Sequence, residues 1–306
     1  MNIPKIIKEI LKESKWSQDE LAHRLNVSNK ALSFWVTGKA EPRAKNLEEI
    51  NKYYQDIVGR TEISPEDLAN IEKQALATHI DLDELLENQE LLKTTTLYLT
   101  YHTNTIEGST MTIEEVAKVL NDENTIIPDK TVREQMEARN HRTAFLFLLS
   151  ELKKQGKSFR WTPELIKDIH LRLMNGVLES AGEYRNYGVR VMGSRAPRTN
   201  SITISREINK LVEYMNIPQK DLIAQLAKTH ATFERIHPFG DGNGRTGRLI
   251  MFAQALQGGI VPPLVIKERK HAYYKYLEMA HLEDRYDLLE LFIAESVLFT
   301  DELLSK

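Results

Sequence analysis

The chain has 306 residues, 41% of them hydrophobic, which exceeds one average domain and suffices for a sizeable core. It carries 41 basic and 44 acidic residues and no cysteine, which excludes disulfides and thiolate metal sites and suits a reducing cytoplasm. The N-terminus lacks the apolar region of a signal peptide, and the longest apolar runs, such as residues 144–149, are too short to cross a bilayer. We therefore expect a cytoplasmic protein with no membrane partner.

The first predicted element is a pair of short helices within residues 17–37. Residues 17–20, Ser-Gln-Asp-Glu, form a capping box for a helix running to about Leu25, and Ser28 is a good N-cap for a helix from Asn29 to Val36. Apolar residues at helical spacing join the two across a tight turn. The pattern resembles the helix-turn-helix of Cro and cI-type repressors. In that resemblance Gln18 contacts a DNA phosphate, and four residues face base edges: Ser28, Asn29, Lys30 and Ser33.

Charge gives this segment modest support as a DNA-binding module. Residues 1–60 contain 11 basic and 8 acidic residues, a net charge of +3, whereas the whole chain has a net charge of −3. DNA is therefore one expected partner, and a homodimer is another expectation, because Cro-like modules usually bind two-fold sites. The alternative is a helix-turn-helix used for protein contact or dimerisation.

Beyond this pair, residues 57–64 break the helical pattern, and Ser64-Pro65 is typical of a helix start. We place a boundary there, giving a helix-turn-helix domain over 1–62 and a second domain over 63–306. Apolar spacing predicts connecting helices over 65–100 and further helices at 112–121, 129–155, 162–174, 205–216, 219–236, 245–257 and 269–303, the last broken near Asp284. Short β-branched runs between residues 189 and 205 predict one β-hairpin in a mainly α chain.

Residues 237–248, His-Pro-Phe-Gly-Asp-Gly-Asn-Gly-Arg-Thr-Gly-Arg, concentrate the chemistry of phosphate binding. Gly242, Asn243 and Gly244 can turn successive backbone N–H groups into one concavity. A helix beginning near Arg245 adds its unpaired N–H groups and its dipole. Arg245 and Arg248 lie about one turn apart, so both guanidinium groups can reach the same phosphates.

The same loop offers a metal ligand and a base. Asp241 supplies a hard oxygen of the kind that Mg²⁺ takes together with phosphate oxygens. His237, at the mouth of the loop, could take a proton from an incoming hydroxyl group. Together these residues predict in-line transfer of a phosphorus-centred group from a nucleotide.

The loop sequence allows two other interpretations. Residues 242–247 also match the GxGxxG dinucleotide fingerprint, but that fingerprint follows a strand, whereas residues 222–236 have helical spacing. The dinucleotide interpretation therefore fails on context. The other alternative is an ordinary glycine-rich loop between helices whose arginines are surface charges.

The twelve residues closely resemble the HPFx[DE]GNGRxxR motif of the Fic (filamentation induced by cAMP) family. The resemblance implies a helical catalytic domain that transfers AMP from MgATP to a Ser, Thr or Tyr hydroxyl of a target protein, a nucleotidyltransferase activity. It implies His237 as the base, Asp241 as the magnesium ligand and Phe239 as the anchor of the loop. The implied nucleotide-binding residues are Gly242, Asn243, Gly244, Arg245 and Arg248. The Doc branch of the family, which phosphorylates, has lysine in place of Gly244.

Residues 103–108, Thr-Asn-Thr-Ile-Glu-Gly, resemble the family's inhibitory motif, [ST]xxxE[GN]. The resemblance implies that Thr103, Glu107 and Gly108 lie on an N-terminal inhibitory helix and that Glu107 pairs with Arg248, taking the guanidinium that the γ-phosphate needs. Alone, Glu107 would be a carboxylate at a solvated helix end. The complete loop downstream, and a capping box at residues 112–115, favour inhibition.

Two further segments complete the resemblance. The hairpin predicted at 189–205 corresponds to the family's flap, which would dock the target's backbone through Val191 and Met192. Tyr274 would contact the adenine. His281 stands where some relatives have asparagine at the base, which leaves the choice of nucleotide slightly open.

Two alternative functions remain on the sequence alone. One is a DNA-binding regulator whose Fic fold senses a nucleotide without useful turnover. The other is a de-AMPylating or bifunctional enzyme in which Glu107 positions a water molecule.

Overall fold

The computed structural model describes residues 2–122, 124–191 and 194–305, and the regular structure in this part of the chain is helical. The α-helices in chain order are α1 (Ile3–Ser14), α2 (Gln18–Arg24), α3 (Asn29–Thr37), α4 (Ala44–Ile57), α5 (Pro65–Leu76), α6 (Leu82–Glu87), α7 (Gln89–Ile106), α8 (Ile113–Asn121), α9 (Val132–Gln155), α10 (Pro163–Met174), α11 (Ile204–Met215), α12 (Leu222–Ile236), α13 (Asn243–Gln257), α14 (Lys270–Glu283) and α15 (Asp287–Leu304). Short 3-10 helices lie at Gly156–Ser158, Ser201–Thr203 and Lys267–Arg269.

Residues 2–63 form one compact unit together with residues 268–276, which the sequence placed in the second domain. Its helix pair begins where the caps predict: the Ser17 capping box begins α2, and the Ser28 hydroxyl accepts from the N–H of Ala31 to begin α3. Gly38 ends α3 at φ 71°, a left-handed conformation that favours glycine. Fully buried residues close the small core between α1, α2, α3 and α4: Ile7, Ile10, Leu21, Leu32 and Ile50.

Residues 64–267 and 277–305 form the second compact unit, built around α13. This helix packs against α7, α9, α10 and α12, and its residues from Arg245 to Leu256 are all buried. A helix buried on every side needs no polar face, which explains its lack of amphipathic pattern. Its N-terminal end carries the glycine-rich loop, so the fold holds this loop at the end of a helix that is buried along its length.

Helix boundaries in this unit follow side-chain caps that override the apolar pattern. The predicted helix at 129–155 begins at Val132 because Thr131 forms a capping box with Glu134. The predicted helix at 219–236 begins at Leu222 because the Asp221 carboxylate accepts from the N–H of Ala224. The break predicted near Asp284 is present, since this residue adopts φ 52° between α14 and α15.

The hairpin predicted between residues 189 and 205 is wrong for the part of this segment that the structure describes, which contains no strand. Residues 192 and 193 lie outside the described residues, so nothing follows for Met192. Asn200 instead accepts from the N–H of Ile202 and begins a 3-10 helix that leads into α11, where Ile204 is buried. A cap and a buried apolar contact therefore outweigh the weak strand preference of β-branched residues.

Across residues 2–122, 124–191 and 194–305, no helix combines the length with the apolar character that a membrane-spanning segment requires.

Candidate active site

The loop between α12 and α13 is closed by the side chain of Asn243. Its amide oxygen accepts from the N–H of Phe239 at 2.9 Å, and its amide nitrogen donates to the carbonyl of the same residue at 2.9 Å. Gly242 adopts φ 77° immediately before α13, where a side chain would be strained and a Cβ would also press on Met174. The first N–H groups of α13, which have no acceptor within the helix, therefore face the mouth of the loop.

Phe239 anchors the loop in the core. It is fully buried, and its ring stacks on His170 with centroids 3.6 Å apart and planes 2° from parallel. The Nδ1 atom of His170 accepts from the N–H of Gly182 at 2.9 Å, so its Nε2 carries the proton and donates to the carbonyl of Asp241 at 2.9 Å. Burial lowers the pKa of His170 to about 4, which keeps this neutral tautomer at pH 7.

Arg185 fixes the backbone on the other side of the loop. This buried side chain donates to the carbonyl of His237 at 2.7 Å and to that of Ile236 at 3.3 Å. It also donates to the carbonyls of Thr199 at 2.6 Å and Tyr187 at 2.5 Å. His237 itself has φ 50°, so Arg185 supports a strained turn at the residue proposed to be the base.

Sequence reasoning missed His170 and gave Arg185 no role. His170 lies in the middle of a regular apolar pattern on α10, and Arg185 follows an unremarkable Gly-Glu-Tyr. Both act on backbone carbonyls, which any sequence provides, so no residue pattern could identify their partners.

Asp241 lies in a network of alternating charges. Its Oδ2 atom accepts from Arg133 at 2.8 Å, and its Oδ1 atom lies 3.6 Å from Arg245. Glu137 in turn lies 3.0 Å from Arg133 and 3.1 Å from Arg245. Because Asp241 is 45% exposed, its carboxylate is accessible to a cation from solution.

The donor set fits a magnesium ion that is bound together with phosphate. In the described part of the chain, no group of three or more His, Asp or Glu side chains could hold a metal ion. Asp241 could supply one hard oxygen ligand to a magnesium ion whose other ligands are phosphate and water oxygens.

The ion pair that the sequence suggested between Glu107 and Arg248 is present. Arg248 donates to Oε1 of Glu107 at 2.6 Å, to the Thr103 hydroxyl at 2.7 Å and to the Thr103 carbonyl at 3.2 Å. A Cβ atom built on Gly244 would overlap the Glu107 carboxylate, so this anion lies directly on the first turn of α13. Glu107, the C-cap residue of α7, therefore covers the N-terminal end of α13, where the helix dipole favours negative charge.

Hydrogen bonds to α9 hold the segment after Glu107 in place. Gly108 turns the chain at φ 112°, and Thr110 then donates to Glu134 from its N–H at 2.7 Å and from its hydroxyl at 2.9 Å. Burial alone would raise the pKa of Glu134. The hydrogen bonds from Thr110 and Thr131 instead lower this pKa to about 2, so the carboxylate stays ionised at neutral pH.

His237 is held neutral beside a buried acid. Burial, with the Arg198 guanidinium nearby, lowers the pKa of His237 to about 4. Its Nδ1 atom lies 3.8 Å from Oε2 of Glu234, one turn earlier on α12. Burial raises the pKa of Glu234 to about 7, with the neighbouring Glu107 adding to the effect. An imidazole that is neutral at pH 7 is in the protonation state that a general base requires.

The remaining residues singled out in the sequence lie elsewhere. Tyr274, on α14, is 41% exposed and belongs to the first compact unit. Val191 is partly buried in the second unit. His281 is buried and pairs through Nε2 with the carbonyl of Ala231 at 2.8 Å. The five residues expected to face DNA are all exposed in α2, in α3 or at the cap between them: Gln18, Ser28, Asn29, Lys30 and Ser33.

Two family models match separate parts of the chain. The Fic/DOC family model matches residues 160–255, and a helix-turn-helix model matches residues 7–56. The first match contains the loop with His170 and Arg185, whereas Glu107 lies before it.

Curated relatives are similar over a longer stretch. The protein adenylyltransferase Fic of Nematostella vectensis is 30% identical over 189 residues, which are 60% of this chain and 43% of that protein. The protein adenylyltransferase Fic of Aedes aegypti is 29% identical over 216 residues, which are 69% of this chain and 42% of that protein. The chain thus spans less than half the length of these relatives.

Solved structures share the fold. A fragment of Fic-1 from C. elegans aligns with a TM-score of 0.66 at 20% identity, covering 94% of this chain and 84% of that one. A Fic family protein from Desulfovibrio desulfuricans G20 aligns with a TM-score of 0.64 at 21% identity, covering 80% and 75%. These likenesses confirm the mainly α fold class predicted from the sequence.

Proposed function

We propose that this chain is a protein adenylyltransferase. Residues 160–255 match the Fic/DOC family model, and residues 7–56 match a helix-turn-helix model. It would move AMP from MgATP to a Ser, Thr or Tyr hydroxyl of a target protein. The observation that carries this proposal is a neutral His237 at one end of a loop whose other end is the N-terminus of α13, where the Glu107 carboxylate now lies. The names of the curated relatives support the same activity.

The first turn of α13 would bind the nucleotide's phosphates. The backbone of Gly242, Asn243 and Gly244 offers N–H groups there, reinforced by the helix dipole. Arg245 is buried, and within the described residues its Nε atom makes no hydrogen bond, so a donor is available for a phosphate oxygen. Arg248 would bind the γ-phosphate with the guanidinium that now holds Glu107.

His237 would act as the general base of an in-line displacement. The target hydroxyl gives its proton to Nε2 of His237 while its oxygen forms a bond to the α-phosphorus, and the bond from this phosphorus to the bridging oxygen breaks. Pyrophosphate leaves. Asp241 would hold Mg²⁺, which neutralises charge on the phosphates when bound. Adenine contact by Tyr274 and target docking by Val191 and Met192 remain proposals that follow from the resemblance.

The lack of a side chain at residue 244 supports AMP transfer over phosphorylation. A Cβ at this position would occupy the space that the Glu107 carboxylate fills now, which is the space an anion needs at the helix end. A lysine there, as in the phosphorylating Doc branch, would change which phosphate group lies next to His237. Gly244 leaves the concavity open for the α- and β-phosphates.

Glu107 would inhibit the enzyme through Arg248. The carboxylate would block two contacts that ATP needs. It neutralises the Arg248 guanidinium, and it covers the first turn of α13. Thr103 and Gly108 would hold it there, the first by accepting from Arg248 and the second by turning the chain away. A signal that lifts the end of α7 would activate the enzyme.

The exposed residues of α2 and α3 support DNA as a second partner. All five lie on solvated positions next to a complete small core, as in a recognition unit that docks without refolding. A homodimer in the cytoplasm would suit a two-fold DNA site. The alternative function, a DNA-binding regulator that senses nucleotide, uses the same surface.

The test is labelling with ATP that carries a radioactive phosphate in either the α- or the γ-position. We expect Glu107→Gly to raise protein-bound label from α-ATP at least tenfold over wild type, and His237→Ala in that background to abolish it. Glu183→Gln, at an exposed carboxylate, is the matched control and should leave labelling unchanged.

Each other outcome rules out part of this proposal. Label from γ-ATP alone would mean phosphorylation. Equal labelling of wild type and Glu107→Gly would remove the inhibitory role. No label from either nucleotide, with ATP still bound, would favour the regulator, and loss of AMP from a pre-modified target would favour the reverse reaction.

A further inference from the structure

We propose that Glu234 is a positioning residue for the base: its carboxylate faces the Nδ1 edge of His237 and balances the charge that the imidazole gains when Nε2 takes the hydroxyl proton. The proposal rests on the proposed function, in which His237 is the base. No feature of the sequence motif itself points to Glu234, which lies three residues before it on α12.

The geometry brings these two side chains together in a closed space. Oε2 of Glu234 lies 3.8 Å from Nδ1 of His237, slightly too far for a hydrogen bond. Among the described residues, neither Nδ1 of His237 nor Oε1 of Glu234 has a hydrogen-bond partner, although both atoms are buried. Two buried polar atoms without partners are costly, and a small closure of this gap would satisfy the imidazole whenever Nδ1 carries a proton.

The backbone leaves the carboxyl group little choice of position. A Cβ built on Gly247 would lie 3.2 Å from Oε1 of Glu234. The helices α13 and α12 therefore cross closely at this point, and α13 limits the movement of the carboxyl group. His237 ends α12 in a left-handed conformation, and Arg185 holds its carbonyl. The imidazole is therefore fixed at its backbone while its Nδ1 edge faces Glu234, which leaves Nε2 for the substrate.

Charged groups on several elements face this pair. Arg248 on α13 and Arg198 from the segment before α11 favour an ionised Glu234, whereas Glu107 at the end of α7 disfavours it. Arg198 and Arg185 disfavour a protonated His237, whereas the Glu234 backbone and the charge of Glu107 favour it. The buried His230 lies one turn before Glu234 on α12. The pKa of Glu234 is raised to about 7 and that of His237 is lowered to about 4. Groups this close titrate in two steps that belong to the pair.

The arrangement links inhibition to the strength of the base. Burial raises the pKa of Glu234, and the charge of Glu107 raises it further, so Glu107 disfavours the carboxylate that would balance an imidazolium. A γ-phosphate that takes Arg248 must displace the Glu107 carboxylate from the first turn of α13. Removing Glu107 alone therefore favours the ionised Glu234 that the imidazolium needs during proton transfer.

The experiment combines a titration without nucleotide and a rate measurement. In otherwise wild-type protein, labelled with ¹⁵N-histidine, we expect the imidazole signals of His237 to shift in two steps, the upper near pH 7. Glu234→Gln should remove the upper step. In the Glu107→Gly background, Glu234→Gln should lower AMP transfer at least tenfold and remove the rising limb of its pH profile, which lies below pH 7 there. Glu234→Asp should restore part of the AMP-transfer rate and part of the rising limb. Glu213→Gln, at an exposed carboxylate on α11, should change neither the rate nor the pH profile.

The possible results separate this proposal from the proposed function. An upper step that persists in Glu234→Gln, or an unchanged rate and pH profile, overturns the role of Glu234. If no variant transfers AMP but the upper step is lost in Glu234→Gln, the proton coupling stands and the proposed function fails. Because Glu234→Gln could disturb folding, the same two measurements on Glu234→Asp, with a circular dichroism melt of each variant, decide the matter.

Discussion

At the scale of single residues, the candidate site combines a loop motif that can be recognised in the sequence with supporting side chains that cannot. His237, Asp241 and Arg248 were predictable because their types and spacing match a chemical task. Arg185 and His170 were not, since each donates to a backbone carbonyl in residues 236–241 that lies more than 50 positions along the chain. Glu234 was hidden for another reason: a glutamate near the end of a helix is ordinary until its burial is known.

Arg185 gives a test of this concealed support. Replacing it with lysine keeps the charge but removes the planar fork, so at least two of its four carbonyl partners lose their donor. In the Glu107→Gly background we expect Arg185→Lys to lower AMP transfer at least tenfold and the free energy of unfolding by about 2 kcal/mol. Radiolabel incorporation and urea unfolding measure these effects. The exposed Arg190→Lys is the control, and equal behaviour of both variants would contradict the role given to Arg185.

At the scale of helices, side-chain caps made the sequence informative about where elements begin. Residues Ser17, Ser28 and Thr112 were recognised as caps, and each begins a helix at the next residue. The hairpin at 189–205 failed because β-branched residues indicate a strand only when no local cap competes, and Asn200 supplies one. Apolar periodicity also could not reveal that α13 is buried on all sides.

The crossing of α12 and α13 provides a test at this scale. A Cβ at Gly247 would lie 3.1 Å from both the His230 and the Phe233 ring and 3.2 Å from Oε1 of Glu234. We expect Gly247→Ala to lower the free energy of unfolding by about 1–3 kcal/mol, because overpacking forces the two helices apart. Gly188→Ala, where a Cβ meets nothing within 4 Å, should change stability by less than about 0.5 kcal/mol. Urea unfolding compares the two, and a stable Gly247→Ala would mean that the crossing can open freely.

At the scale of the whole molecule, buried histidines dominate the response to acid. Burial lowers the pKa of six of the nine histidines to between about 3 and about 4: His102, His141, His170, His230, His237 and His281. Because their unfolded pKa is near 6.5, the unfolded chain binds more protons than the folded one between pH 6.5 and 4. Stability contributed by these groups is present above pH 6.5 and is lost as pH falls.

We expect the free energy of unfolding to fall as pH is lowered from 6.5 to 4, by up to about 1.4 kcal/mol per pH unit for each such histidine. Glu72 and Glu234, whose pKa values are raised to about 7, oppose this trend but are outnumbered. Urea unfolding at pH 5, 6 and 7 measures the slope. His141→Asn should make it shallower, whereas a slope near zero in wild type would contradict the burial of these groups.

The contact between Glu107 and Arg248 joins residues 141 positions apart in one chain, and this has a consequence for how the site responds to its surroundings. A competitor carried on the same chain has an effective concentration set by the fold, so diluting the protein does not weaken it. If Glu107 competes with a polyphosphate as proposed, every molecule would require the same polyphosphate concentration for binding, whatever the amount of the protein. Occupancy of the site would follow nucleotide supply and the mobility of α7 rather than protein abundance.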